Sequence, residues 1–159
     1  ELKYFGVKKM TIFNIIVDGS NIAFFRRNND KKAMFYNLEI IIRYLNELKT
    51  QFPVNFLIVV DASLYHNIDD ISKYNEAYGR GEIVQCPSGN PADIFILEYA
   101  HKHRENTVII SNDNFSEYDT SGLTLCKFAI IFGEIIIKPN LEEVFNSNSI
   151  KHKKAVIYA

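Results

Sequence analysis

Residues 11–21 read Thr-Ile-Phe-Asn-Ile-Ile-Val-Asp-Gly-Ser-Asn, an apolar, β-branched run that stops at a carboxylate. Branching at Cβ stiffens the chain toward extended backbone, and apolar residues on consecutive positions suit a strand buried on both faces. Gly19, Ser20 and Asn21 then supply turn chemistry. The same order recurs twice. Pro53 opens the run 54–60, which closes on Asp61, and the run 107–110 leads into Ser111-Asn112-Asp113.

Between these strands the periodicity changes. Leu38, Ile41, Ile42, Leu45 and Leu48 fall at helical spacing, so 33–48 is expected to be an amphipathic helix. Residues 69–78 are expected to form a short helix and 82–86 a brief third strand, followed by the turn set Pro87-Ser88-Gly89-Asn90-Pro91. A helix over 92–103 carries Asp93 in its first turn, and Pro91 suits its opening because no partner is needed for a missing N–H there. Residues 125–132 and 134–138 read as two strands broken at Gly133, 141–146 as a terminal helix, and 147–159 as a weakly informative tail. Strands alternating with helices predict an α/β domain with a mainly parallel sheet covered on both faces. One domain over 1–159, with its core at about 11–146, fits the chain length.

Composition narrows the class further. Hydrophobic residues make up 47% and charged residues 23%, which is globular and not disordered. No apolar run reaches membrane-span length, so no membrane partner is expected. No basic-apolar-small leader stands in residues 1–10. The opening on Glu1 is expected of a trimmed product, with Met10 a candidate natural start. The two cysteines, Cys86 and Cys126, lie far apart in apolar settings, as buried free thiols do, and a reducing cytoplasmic home is the simplest expectation. A net charge of −1 rules out polycation character, so nucleic acid would be held by a local basic patch and metal ions.

In open α/β sheets, ligands gather beyond the carboxyl ends of the strands. Asp18, Asp61 and Asp113 should therefore share one edge, and Asp93 can reach it from the start of its helix. A carboxylate after a strand is equally a cap or turn residue. Several pressed together repel one another unless a cation neutralises them, and an oxygen-only set favours Mg²⁺ or Mn²⁺. That ion, shared with substrate phosphates, suits phosphodiester hydrolysis. Asn21 could orient a bound water or cap its turn. Arg26, Arg27, Lys31 and Lys32 could grip backbone phosphates or form a solvated loop. His66, His101, His103 and His152 could act as acid–base catalysts, but His101 and His103 fit a helix C-terminus better, where a cation suits the dipole. Of the tyrosines, Tyr36, Tyr44, Tyr74 and Tyr78 could stack bases, although packing accounts for most of them.

Val17-Asp18-Gly19-Ser20-Asn21-Ile22-Ala23 closely resembles the opening motif of the Regnase-type NYN ribonucleases, a branch of the PIN-like superfamily. Residues 92–100 (ADIFILEYA) resemble that family's acidic helix start and 108–115 (VIISNDNF) its SND strand end. The stretch 128–139 resembles its closing strands. The resemblance implies a PIN-like α/β/α sandwich and Mg²⁺- or Mn²⁺-dependent endonucleolytic cleavage of RNA. It implies that Asp18, Asp93 and Asp113 hold the metal, gives Asn21 a supporting role, and makes Glu117 an additional acid. Ser20, Arg26, Arg27, Ser111 and Asn112 are the expected substrate contacts. The family tends to have two adjacent aspartates where this chain has Ala92-Asp93, and Asp61 is expected to compensate from the second strand. So short a chain offers little surface to RNA, and a homodimer is the expected way to enlarge it.

Two rival classes follow. A catalytically weak RNA-binding module with the same fold would explain the missing second aspartate. A phosphatase of the haloacid dehalogenase type would need an aspartate two residues after the nucleophile, and Ser20 occupies that position.

Overall fold

The computed structural model describes residues 11–147. In chain order its elements are β1 (Phe13–Asp18), α1 (Gly19–Ala23), α2 (Phe35–Lys49), β2 (Val54–Val60), a 3-10 turn (Ala62–His66), α3 (Ile71–Gly79), β3 (Val84–Gln85), α4 (Ala92–Lys102), β4 (Thr107–Ile110), β5 (Thr124–Ile131) and β6 (Glu134–Lys138). Residues 141–147 are helical.

The sheet runs β3-β2-β1-β4-β5-β6, and every pairing is parallel except the β5–β6 hairpin. The apolar run of β1 thus sits at the centre, flanked by β2 and β4. Side chains alternate between faces along a strand, which divides the core in two. Ile15, Val17, Ile58, Val60, Val108 and Ile110 pack with Leu38, Ile41 and Leu45 of α2. Ile16, Val59 and Ile109 pack with Ile96, Leu97 and Ala100 of α4. Helices on both faces of a mostly parallel sheet give the α/β/α sandwich. Cys86 and Cys126 are buried free thiols. No helix among the described residues is long and apolar enough to cross a membrane.

The structure adds to or departs from the expected elements at the third strand, after Asp18, after Asp61 and at the hairpin. The third strand is two residues long because the C-terminus of α3 reaches into it. Gly81 (φ 73°) donates to the carbonyl of Tyr78 and Glu82 to that of Ala77, a Schellman closure that holds 81–82 out of the sheet. The segment after Asp18 is a one-turn helix where a turn was expected, and the segment after Asp61 is a 3-10 turn. Both are too short to show a helical period. At the hairpin the break spans Phe132 and Gly133, both with positive φ, the backbone of a two-residue type I′ connection.

Candidate active site

The carboxyl ends of β1, β2 and β4 bring Asp18, Asp61 and the Ser111–Asp113 turn to one edge of the sheet. Asp18 is the most enclosed of these acids, at 5% exposure. Its Oδ1 accepts from the backbone N–H of Asn21 at 3.2 Å, so it caps α1. Its Oδ2 accepts from the Ser111 hydroxyl at 2.8 Å. Cap and buried acid are the same side chain. Burial pushes its carboxyl up to about 6, against the lowering effect of the Ser111 and Asn21 hydrogen bonds, and the nearby charges of Asp93 and Asp61 push it the same way.

The one-turn helix starts against β2, and this explains Gly19. A Cβ there would lie 2.7 Å from Val60 Cγ1, 2.8 Å from Ile58 Cγ2 and 3.0 Å from the Val59 carbonyl oxygen, the last being backbone that cannot rotate away. Ser20 is buried, and its Oγ accepts from the Asp61 N–H at 2.9 Å. It therefore ties the ends of β1 and β2 together, where a substrate contact was expected.

Asp61 Oδ1 accepts from the backbone N–H of Ala92 at 2.8 Å, so this carboxylate serves the N-terminus of α4 from a distant strand. It also stands close enough to Asp93 and Asp18 to raise both. Asp93 lies half-buried in the first turn of α4. Desolvation raises its carboxyl, and the charges of Asp113, Asp61 and Glu117 add to that. Electrostatically, then, Asp18, Asp61, Asp93, Asp113 and Glu117 form one connected negative field. Among the described residues, no three His, Cys, Asp or Glu side chains converge closely enough to enclose an ion by themselves. The ion pairs among the described residues, Lys73–Glu39, Arg80–Glu76 and Arg80–Glu82, include none of these five acids.

The turn after β4 is held rigidly. The Ser111 hydroxyl accepts from the Asp113 N–H at 3.1 Å while donating to Asp18. Asn21 Oδ1 accepts from the Asn112 N–H at 2.8 Å, so Asn21 pins this turn to α1, and its amide nitrogen has no partner among the described residues. The Asn112 side chain donates to the Phe128 carbonyl and accepts from the Phe128 N–H, both at 2.9 Å, and so continues the β4–β5 ladder. Both its amide nitrogen and its oxygen are engaged there, which makes Asn112 a positioning residue in addition to the substrate contact that was expected. Asp113 Oδ1 accepts from the Phe115 N–H at 2.8 Å and its side chain is otherwise exposed.

Arg26 and Arg27 lie exposed on the loop after α1. Each guanidinium stands over a neighbouring ring, Arg26 at 5.4 Å from the Phe25 centroid and Arg27 at 4.7 Å from that of Phe24. Sequence reading missed Lys127 of β5, whose Nζ donates to the Asp113 carbonyl at 2.8 Å. Its signal was available: it is the one charged residue in a mostly apolar strand. His101 sits in the last turn of α4 with Nε2 2.8 Å from the Asp119 carbonyl oxygen, a helix-end role, and His103 is the C-cap. His152 lies outside the described residues.

Two solved structures of the nuclear proteinaceous RNase P 2 from Arabidopsis thaliana share this fold, with TM-scores of 0.61 and 0.60 at 20% and 19% identity. Each alignment covers 79% of this chain but 29% of the other, so the chain spans less than a third of those proteins. No curated protein matches the sequence significantly. The model of the Zc3h12a-like ribonuclease NYN domain matches residues 13–131, well over half of the sequence. These strands, the acids at their ends and the turns that hold them all fall inside that match, and the chain belongs to the Zc3h12a-like ribonuclease NYN domain family.

Proposed function

We propose that the chain is a divalent-metal-dependent endoribonuclease that cuts unpaired RNA at the acidic edge of its sheet. The observation that carries this reading is Asp18. It is a buried carboxylate held by Ser111 and Asn21, raised by the charges of Asp93 and Asp61, and paired with no cationic side chain among the described residues. A charge kept in such a place is unfavourable until a cation joins it.

The donor set fits a hard ion, since it is all oxygen with no His or Cys among the acids. Asp18, Asp93 and Asp113 would hold it, with Asp61 and Glu117 deepening the negative potential. Asp61 also brings a carboxylate to the backbone of Ala92, where the related nucleases tend to have a second aspartate. The open spacing of the acids suits Mg²⁺, which keeps several of its waters, and Mn²⁺ accepts the same oxygens. When bound, the ion supplies an acidified water and neutralises charge on the scissile phosphate. The chain's own residues do the rest. Asn21 fixes the Asn112 turn and presents an uncommitted amide N–H pair. Arg26 and Arg27 supply fork-shaped donors to phosphates flanking the cut. Lys127, with one donor on the Asp113 carbonyl, offers its others to the same strand.

The test is cleavage of single-stranded RNA, structured RNA and single-stranded DNA with Mg²⁺, with Mn²⁺ and with a chelator. Wild type is expected to cut unpaired RNA only when metal is present, and Asp113→Asn to lower the rate by about 100-fold or more. Equal activity of the two proteins would overturn the assignment. The open acid cluster also favours a second reading, a binding module with little catalysis. Calorimetry separates the two, because such a module binds RNA but takes up neither Mg²⁺ nor Mn²⁺ specifically.

A further inference from the structure

Beyond the outer edge of the sheet, a groove of about 590 Å³ lies between the 3-10 turn, α3 and the end of β3. Its size falls within the roughly 300–1,000 Å³ of small-ligand sites. Tyr65, His66, Tyr74, Asn75, Tyr78 and Gln85 supply most of its wall, with Ser88 at one end. None of its lining residues is Asp, Glu, Lys or Arg. A wall without carboxylates or permanent cations is poorly suited to hold a metal ion or a charged phosphate. It offers aromatic faces and amide, hydroxyl and imidazole groups, the chemistry that receives an unpaired base.

Two chain segments tie the groove to the acids. The 3-10 turn that carries Tyr65 and His66 starts directly after Asp61, and Ser88 lies in the loop that delivers Asp93 at the head of α4. Gln85 pairs in register with Val60, next to Asp61. The aromatic groups are also pre-set. Tyr65 is held edge-on by Tyr74 (centroids 5.8 Å apart, 72° between planes) and by His66 (5.3 Å, 89°), yet is 41% exposed, and Tyr78 is 54% exposed. The buried Tyr74 donates its hydroxyl to Gln85 Oε1 at 2.7 Å, which fixes the amide and leaves its nitrogen as a donor without a partner among the described residues.

We infer that this groove seats one unpaired nucleobase of the RNA strand beside the acidic edge, stacked on Tyr65 and Tyr78 with the Gln85 amide donating to an acceptor on the base. The inference rests on the nuclease reading above and adds a base-binding position to it. The strand would then be gripped on both flanks, by its phosphates at the Arg26–Arg27 loop and by a base at the groove.

The test is anisotropy of a fluorescein-labelled single-stranded RNA octamer in chelator, so that no cleavage occurs. Tyr65→Ala and Tyr78→Ala are expected to weaken binding by about tenfold each, as loss of one stacked base does, while Tyr65→Phe keeps it. An octamer with 4-thiouridine should crosslink to Tyr65 or Tyr78. In the cleavage assay the same alanine variants should raise KM and leave kcat near wild type. Unchanged affinity in both folded alanine variants overturns the groove and leaves the nuclease standing. Crosslinks confined to the Arg26–Arg27 loop do the same. A wild-type protein that neither binds nor cuts RNA overturns both.

Discussion

On the β4–β5 flank of the acidic edge the polar side chains of the Ser111–Asn112 turn answer to other parts of the chain, whereas in the groove beyond β3 most polar side chains have no hydrogen-bond partner among the described residues. Ser111 bridges Asp18 and Asp113, Asn21 receives the Asn112 N–H, and the Asn112 side chain extends the ladder to Phe128. Among the described residues, the hydrogen bond between side chains lining the groove is that of Tyr74 to Gln85, and the hydroxyls of Tyr65 and Tyr78 have no partner. One flank holds like charges close together against their repulsion, which needs rigid tethering. The other meets a ligand, which needs uncommitted groups on a firm base. Stability and binding should therefore separate by flank.

The largest stability effect is expected at Asn112. Asn112→Ala removes both side-chain bonds to Phe128 and leaves the N–H and carbonyl of a buried residue unpaired. Unsatisfied buried groups cost about 1–3 kcal/mol each, so a loss of about 2 kcal/mol or more is expected in urea unfolding. A loss under about 0.5 kcal/mol would mean the turn is not tethered through this side chain, and the contrast between flanks would fail.

Asp18 gives an effect of opposite sign. Its carboxyl stands at about 6 in the folded chain against 3.8 ordinarily, so the folded state holds the proton more tightly. The group's contribution to stability is complete below about pH 4 and is lost as pH rises through 6. Asp18→Asn cannot titrate and escapes that loss. In metal-free buffer its Tm, compared with wild type, should gain by several degrees between pH 4 and pH 8, while RNA cleavage is abolished. A Tm difference that does not change with pH would show that Asp18 is not strained by burial, and that the rigid flank holds no charge against its preference.

The two flanks also differed in how plainly the sequence spelled them. β1, β2 and β4 were legible because each is a buried apolar run stopped by a polar residue, and β2 and β4 fall where the run begins and ends. The gathering of Asp18, Asp93 and Asp113 at one edge was legible because each lies at the end of a strand or the head of a helix. The work done by Asn112 was not, because an asparagine after a strand reads equally as a turn residue, and only the β5 register shows it meeting Phe128. The β2–β3 flank was harder. The Schellman closure at Gly81–Glu82 shortened the expected strand to Val84–Gln85, and the 3-10 turn after Asp61 is too brief to leave a period. Tyr74 and Tyr78 were candidates for stacking, but one is a buried anchor and the other an exposed face, a difference set by packing and not by spacing.

That last pair offers the smallest stability effect and the finest test of the comparison. Tyr78 lies on α3, more than half exposed, with no side-chain hydrogen bond among the described residues. Replacing it by Ala removes little buried surface, and alanine's better helix propensity offsets part of what is lost. The change in unfolding free energy should stay within about 0.5 kcal/mol, as for surface positions generally. If Tyr78→Ala destabilised the fold as much as Asn112→Ala, the groove would be a structural seam rather than a binding surface. A loss of RNA affinity in that variant would then follow from disordered packing. If stability holds while octamer affinity falls, the tyrosine acts on the ligand alone, and the two flanks divide holding from binding.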